Sequence, residues 1–157
     1  MTEWVSKSRS GDWTGVALMS PSGTSDEVRW LERWDRPALP TPEVVEWPTC
    51  MGVIESLSKI GEIRWARVLR LDPGSEIPWH VDPLPPTIHR YHHPLSTSAD
   101  VLFEFDGDED GPFVIPLGAV VEIDPRIRHR VQNTSDHHRI HLVVDVDIPT
   151  TGHPARG

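Results

Sequence analysis

The segment "PWHVDP", residues 78–83, sets His80 and Asp82 two positions apart. In an extended strand, residues i and i+2 point to the same side, so one imidazole and one carboxylate could reach a single ion. Nitrogen and oxygen donors of this kind suit Fe(II), Zn or Mn. An H-x-D pair also arises by chance in solvated turns, so the pair needs a partner. "GAVVEIDPRIRHRVQN", residues 118–133, runs from an apolar strand through a turn to His129. A returning strand can bring His129 back to the first pair. Two histidines and a carboxylate form the facial triad of non-haem Fe(II) sites, which leaves positions open for a co-substrate and O2. Taken singly, His129 reads better as a partly exposed histidine between Arg128 and Arg130.

Cations accompany these donors. Arg139 opens the apolar run "RIHLVVDV". A guanidinium at the edge of a core strand is costly without an anion. A bound carboxylate would be a bidentate partner, and a salt bridge to one of the 24 acidic residues is the alternative. Arg90 and His92 repeat the i, i+2 spacing in "HRYHHPL" and could line an interior, or belong to a His-rich loop with His89 and His93. Arg67 falls on the inward face of an alternating strand and could bind a substrate carboxylate. Cys50 lies on a helical face with no His or Asp nearby in sequence and reads as packing. The acidic run "DGDEDG" at 106–111 lacks the later bidentate Glu of an EF-hand and reads as a solvated hairpin. No phosphate loop, G-x-S-x-G or paired-Cys zinc pattern is present.

The elements that must position these residues are mostly strands. "EIRWARVLRL" places Ile63, Trp65, Arg67, Leu69 and Leu71 on one face and Arg64, Ala66, Val68 and Arg70 on the other. Further strand-like runs are 77–81, 88–92, 101–105, 113–115, 119–123, 129–132 and 139–145. The turn signals "DPGSE", "DPLPPT", "DGDEDGP", "PLG", "DPRI" and "NTSD" separate them. Before them, Val53, Leu57 and Ile60 predict a helix over 49–60, with Thr49 as cap and Gly61 as stop. Val16–Met19 predicts a short strand. "TSDEVRWLERW" carries a capping box, Thr24 with Glu27, and predicts a short helix. "PALPTPEVVEWP" reads as extended chain across the surface. The expected fold is mainly β: a small barrel or sandwich in residues 62–148, with 1–61 as an N-terminal cap and helix and 149–157 as a tail, all one domain.

Composition agrees. The chain has 157 residues, 16 of them proline, and a formal net charge of −9. That charge disfavours phosphate backbones and anionic membrane surfaces. One cysteine forbids an intrachain disulfide framework, and a cytoplasmic setting is the natural reading. The start "MTEWVSKSRSGDW" has no apolar signal core, and no run approaches the ~20 apolar residues of a membrane span.

In order and spacing, "RVLRLDPGSEIPWHVDP", "RYHHPL", "GAVVEIDPRIRHRVQN" and "RIHLVVDV" resemble the aspartyl/asparaginyl β-hydroxylase family, which includes bacterial proline hydroxylases. The spacing between His129 and Arg139 is also the family's, and "WTGVAL" at 13–18 and "PTP" at 40–42 look like its shorter bacterial members. The resemblance implies a double-stranded β-helix and Fe(II)- and 2-oxoglutarate-dependent dioxygenase activity, with O2 as the other co-substrate. It implies His80, Asp82 and His129 as iron ligands, with Asp82 the least certain because some animal members lack that carboxylate. Arg139 would pair with the distal carboxylate of 2-oxoglutarate, and Arg90 and His92 would contact its iron-proximal end. A carboxylate at position 82 argues against halogenation, for which related halogenases carry a small residue. The implied reaction hydroxylates an unactivated C–H of an amino-acid side chain, free, carrier-bound or in a peptide. Two other readings stay open on the residues alone. One is a small metal cupin acting as isomerase or lyase; the other is a non-catalytic cupin binding a small acid.

Overall fold

The computed structural model describes residues 13–27 and 34–150, together with the backbone of residues 5–6. In chain order the elements are β1 (Val5–Ser6), β2 (Trp13–Ser20), β3 (Leu39–Pro40), a 3-10 turn (Pro42–Glu46), α1 (Pro48–Leu57), β4 (Glu62–Leu71), β5 (Glu76–His80), β6 (Ile88–Ser96), β7 (Val101–Phe105), β8 (Val121–Ile123), β9 (His129–Asn133) and β10 (Arg139–Asp147). All pairings are antiparallel. A large sheet runs β1-β2-β4-β10-β6-β8, with β3 on β2, and a smaller sheet runs β5-β9-β7. The fold is mainly β, as the strand runs predict, and is the double-stranded β-helix that the family resemblance implies.

The large sheet has two different faces. Ala66 and Val68 of β4 and Leu142, Val144 and Val146 of β10 pack with Val16 and Leu18 under Cys50, Ile54 and Leu57 of α1. Each fully buried Val or Leu side chain among them stabilises by about 1.5–3 kcal/mol. The opposite face looks toward the small sheet. There Leu71, Ile123, Phe103, Val131 and Ile115 fill part of the interior with apolar contact, and buried polar groups fill the rest.

Several expectations are refined. Alternation puts Ile63 with Trp65 and Arg67, but the register slips between Asp145 and Val146 so that Val146 pairs with Ile63. The bulge leaves Arg64 as the extra residue and turns Ile63 to the helix side. The helix begins at Pro48, with Pro at its first position and no side-chain cap bond, so Thr49 is not its cap. Its buried residues are Cys50, Ile54 and Leu57, whereas Ile60 lies beyond its end and is 50% exposed. Gly61 serves close approach. A Cβ there would collide with the Asp147 carbonyl oxygen and lie 2.8 Å from Val146 Cγ1. The "PALPTPEVVEWP" segment is not wholly extended, because Pro42 starts the 3-10 turn. The run 113–115 makes only one bridge, Phe113 to Phe103. β2 is longer than Val16–Met19 and joins the large sheet beside β4, so the segment expected as a cap also widens that sheet. The helix expected from 24 to 34 lies mostly outside the described residues. Within them, the Glu27 carboxylate accepts a hydrogen bond from the Ser22 backbone N–H at 2.9 Å. Among the described residues no helix is long and apolar enough to cross a membrane.

Candidate active site

The turn "DPGS" between β4 and β5 has Pro73 second and Gly74 third, with Gly74 at φ 72° and the Ser75 N–H donating to the Asp72 carbonyl at 3.2 Å. That is a type II turn, which needs a residue tolerant of positive φ at its third position. It reverses the chain into β5, at whose end His80 pairs directly across from His129 of β9. The two rings stand 4.2 Å apart between centroids. Asp82 follows on a loop pinned by its backbone N–H to the Pro125 carbonyl at 2.8 Å. The result is one donor atom from each of His80, Asp82 and His129, all within 4.8 Å of one another.

The hydrogen bonds present these donors in usable form. His80 Nδ1 lies 2.7 Å from the Pro78 carbonyl and His129 Nδ1 2.8 Å from the Ile127 carbonyl. A carbonyl only accepts, so Nδ1 is the donor in each ring and Nε2 is the nitrogen turned toward the other donors. Burial pushes the His129 pKa down, and the neighbouring His80 adds to that against the Ile127 hydrogen bond, which favours the neutral ring a metal needs. Phe103 stacks on His129 at 5.3 Å with the planes only 8° apart, fixing the ring orientation. Asp82 Oδ1 faces His80 Nε2 at 3.7 Å. Its Oδ2 accepts from Arg90 Nη1 at 2.7 Å. Two imidazole nitrogens and one carboxylate oxygen fit a non-haem Fe(II) set.

A cleft of about 210 Å³ lies beside these donors, lined by Trp13, Arg67, Leu69, Ile77, Pro83 and Arg139 among others. An inner chamber of about 80 Å³ shares its His80, Asp82, Arg90 and Arg139 walls and reaches His92, Phe103 and His129. Arg139 is 2% exposed. Its Nη2 donates to His141 Nδ1 at 2.9 Å, and its Nε has no partner. Among the described residues no carboxylate comes within ion-pair distance of it. Burial alone lowers its pKa, to about 10. A buried cation without an anion, opening on a chamber, is the feature a dicarboxylate co-substrate fits.

Arg90 is engaged differently from the sequence expectation. Its Nε and Nη2 bond both oxygens of Asp145, at 2.7 and 3.0 Å, while Nη1 holds Asp82. It lines both cavities with its guanidinium committed to the protein's own carboxylates. Burial works to lower its pKa, but Asp145 and then Asp82 more than reverse this. Arg67 lines the outer cleft and donates to Asp145 Oδ2 at 3.1 Å. Burial lowers its pKa to about 10 against the pull of Asp145. His92 lines the inner chamber, with its Nδ1 3.4 Å from His141 Nδ1. Burial first, then Arg139 and Arg90, hold His92 well below the ordinary histidine range. Trp65 packs under Arg67, whose guanidinium carbon sits 4.8 Å from the ring centroid, whereas Trp79 packs against Arg128 and Arg130. Cys50 sits in the helix-side core, with burial raising its thiol pKa to about 11.

Sequence reasoning missed Asp145 and His141. The signal was available: counting by twos from Arg139 gives His141, Val143 and Asp145, one face of β10. The apolar character of the strand hid it, because Leu142, Val144 and Val146 occupy the alternate face.

A sequence profile of the aspartyl/asparaginyl beta-hydroxylase family matches residues 3–149. A curated L-proline cis-4-hydroxylase of Rhizobium meliloti (strain 1021) is 26% identical over 139 residues, which is 87% of this chain and 48% of that protein. The chain thus spans about half the length of the curated relative it matches. Among solved structures, an oxidoreductase of the 2OG-Fe(II) oxygenase family from Burkholderia pseudomallei superposes with a TM-score of 0.61 at 17% identity, covering 89% of this chain and 70% of that one. The plu4264 protein from Photorhabdus luminescens superposes at 0.50 with 11% identity, over 92% and 81%. These structural likenesses concern the fold. With the profile matching nearly its whole length, the chain belongs to the aspartyl/asparaginyl β-hydroxylase family.

Proposed function

We propose that this protein is an Fe(II)- and 2-oxoglutarate-dependent dioxygenase that hydroxylates an unactivated C–H of an amino-acid substrate. The observation that carries the reading is Arg139: a buried guanidinium with no carboxylate partner among the described residues, in the same cleft as the His80–Asp82–His129 donor set. Such a cation favours a carboxylate-bearing co-substrate over a metal cupin whose substrate carries no acid group.

His80 and His129 would bind iron through Nε2, and Asp82 through Oδ1. Arg139 would hold the far carboxylate of 2-oxoglutarate, with His92 and Arg90 lining its path to the metal. Fe(II), once bound with 2-oxoglutarate and O2, supplies the C–H oxidation, with succinate and CO2 as co-products. The chain's own groups bind and orient. The carbonyls held by Nδ1 of His80 and His129 leave Nε2 of each ring facing the ion position, and Leu69 and Ile77 give the cleft apolar walls. Arg67, facing the outer cleft, would take a substrate carboxylate. The proline hydroxylase relative puts proline first among substrates to try, followed by aspartate and asparagine, free, carrier-bound or within peptides.

The test is succinate release from 2-oxoglutarate with Fe(II), screened over amino acids and peptides. Turnover dependent on one amino-acid-type substrate is expected. His129→Ala should lose both turnover and stoichiometric Fe(II); full iron retention would remove His129 from the ligand set. Arg67→Ala should raise the KM for the substrate, and an unchanged KM would withdraw that role.

A further inference from the structure

We infer that Asp145 is a positioning residue for the metal site: through Arg90 it holds Asp82 so that only Oδ1 faces the ion position. This rests on the ligand reading above and assigns a role to a residue outside the ligand set and outside the cleft walls.

Asp145 is 0% exposed, near the C-terminal end of β10, just before the register shift with β4. β10 lies between β4 and β6 in the large sheet, so its inward carboxylate is flanked by arginines from both neighbours. Arg90 is its direct cross-strand partner, and Arg67 reaches it diagonally from β4. Both oxygens of Asp145 are taken by Arg90, at 2.7 and 3.0 Å, and Oδ2 also accepts from Arg67 at 3.1 Å. An isolated carboxylate at this depth would be strongly disfavoured, and two guanidiniums without it would repel. The fork geometry matters as much as the charge. A guanidinium is planar and rigid. Once Nε and Nη2 are fixed on Asp145, the third edge is aimed, and Nη1 meets Asp82 Oδ2 at 2.7 Å. Oδ1 then stays on the His80 side at 3.7 Å from Nε2.

The consequence is coordinative. A carboxylate with one oxygen held by an arginine offers a metal a single donor. A carboxylate free to rotate can offer both, taking a position that a co-substrate needs. Groups that orient ligands in this way typically change metal affinity by about 10–100-fold when removed.

The experiment uses the metal alone. Co(II) and Mn(II) are titrated into the full-length apo-protein at a temperature where circular dichroism shows the fold intact, with the Co(II) visible spectrum recorded. Asp145→Asn should weaken Co(II) binding by about 10–100-fold and alter the visible spectrum. Arg90→Lys keeps the charge but not the fork, and should do the same. A folded Asp145→Asn or Arg90→Lys protein with the wild-type dissociation constant and spectrum overturns the inference. If neither variant folds, the wild-type protein decides. The Arg90 Nε–H proton resonance should shift when Zn(II) is added, and a resonance that stays in place overturns the inference. A wild-type protein that binds none of these metals would instead sink the ligand reading itself, so the two failures are distinguishable.

Discussion

The two faces of β10 share one backbone and differ in almost everything else. On one face Leu142, Val144 and Val146 are buried against α1 in wholly apolar contact. On the other, Arg139, His141 and Asp145 are equally buried yet polar or charged. The first face does what a core strand does. The second keeps desolvated charges that apolar residues of similar volume would replace with neutral or better stability. Buried charge maintained at that cost is the physical signature of a site. The contrast shows buried charge gathered on the side facing the small sheet, where the proposed site lies, and apolar packing gathered on the helix side.

Four measurements break or sharpen this comparison. The largest effect belongs to Arg139→Met. Losing a charge-assisted bidentate contact should weaken 2-oxoglutarate binding by about 3–5 kcal/mol, while the melting temperature stays level or rises. A marked fall in melting temperature would mean that Arg139 is structural. Leu142→Ala is the mirror experiment. It should destabilise by about 3 kcal/mol in denaturant titration and leave 2-oxoglutarate affinity unchanged. Gly61→Ala forces a methyl against Asp147 and Val146 where β10 ends, and should cost about 1–3 kcal/mol of stability with the site unaffected.

The smallest effect is one of pH. His92 and His141 are both held well below the ordinary histidine value by burial first and neighbouring arginine charge second. The unfolded chain therefore takes up protons that the folded one refuses. Stability of the apo-protein should be complete above about pH 6.5 and fall as the pH drops below it, by about 1 kcal/mol per histidine over the first unit. Melting curves at several pH values check this. His92→Gln should flatten the profile, and an unchanged profile would show that these rings do not refuse protons.

The fold was legible because its determinants are local. Period-two alternation in 62–71 and turn residues such as Pro73-Gly74 mark strands without any long-range knowledge. What was missed needed pairing. The face of Ile63 depends on a bulge formed with β10, which no alternation within β4 reveals. The helix start was misplaced because Pro48 is a better first-turn residue than Thr49 is a cap there. In the site, residue types and order pointed to His80, Asp82, His129 and Arg139, and the structure gathers these around adjoining cavities. The ion network was hidden, because Asp145 gains its meaning only from strand order, with β4 and β6 delivering Arg67 and Arg90 to its two sides.

The most direct test of the account is an anaerobic titration of 2-oxoglutarate into Fe(II)-loaded protein, followed by visible absorption. The account predicts a weak, saturable charge-transfer band in the wild-type protein. It also predicts no such band in Arg139→Met at the same 2-oxoglutarate concentrations, although that variant still holds its iron. Iron bound without a band in the wild-type protein, or an equal band in Arg139→Met, would contradict it.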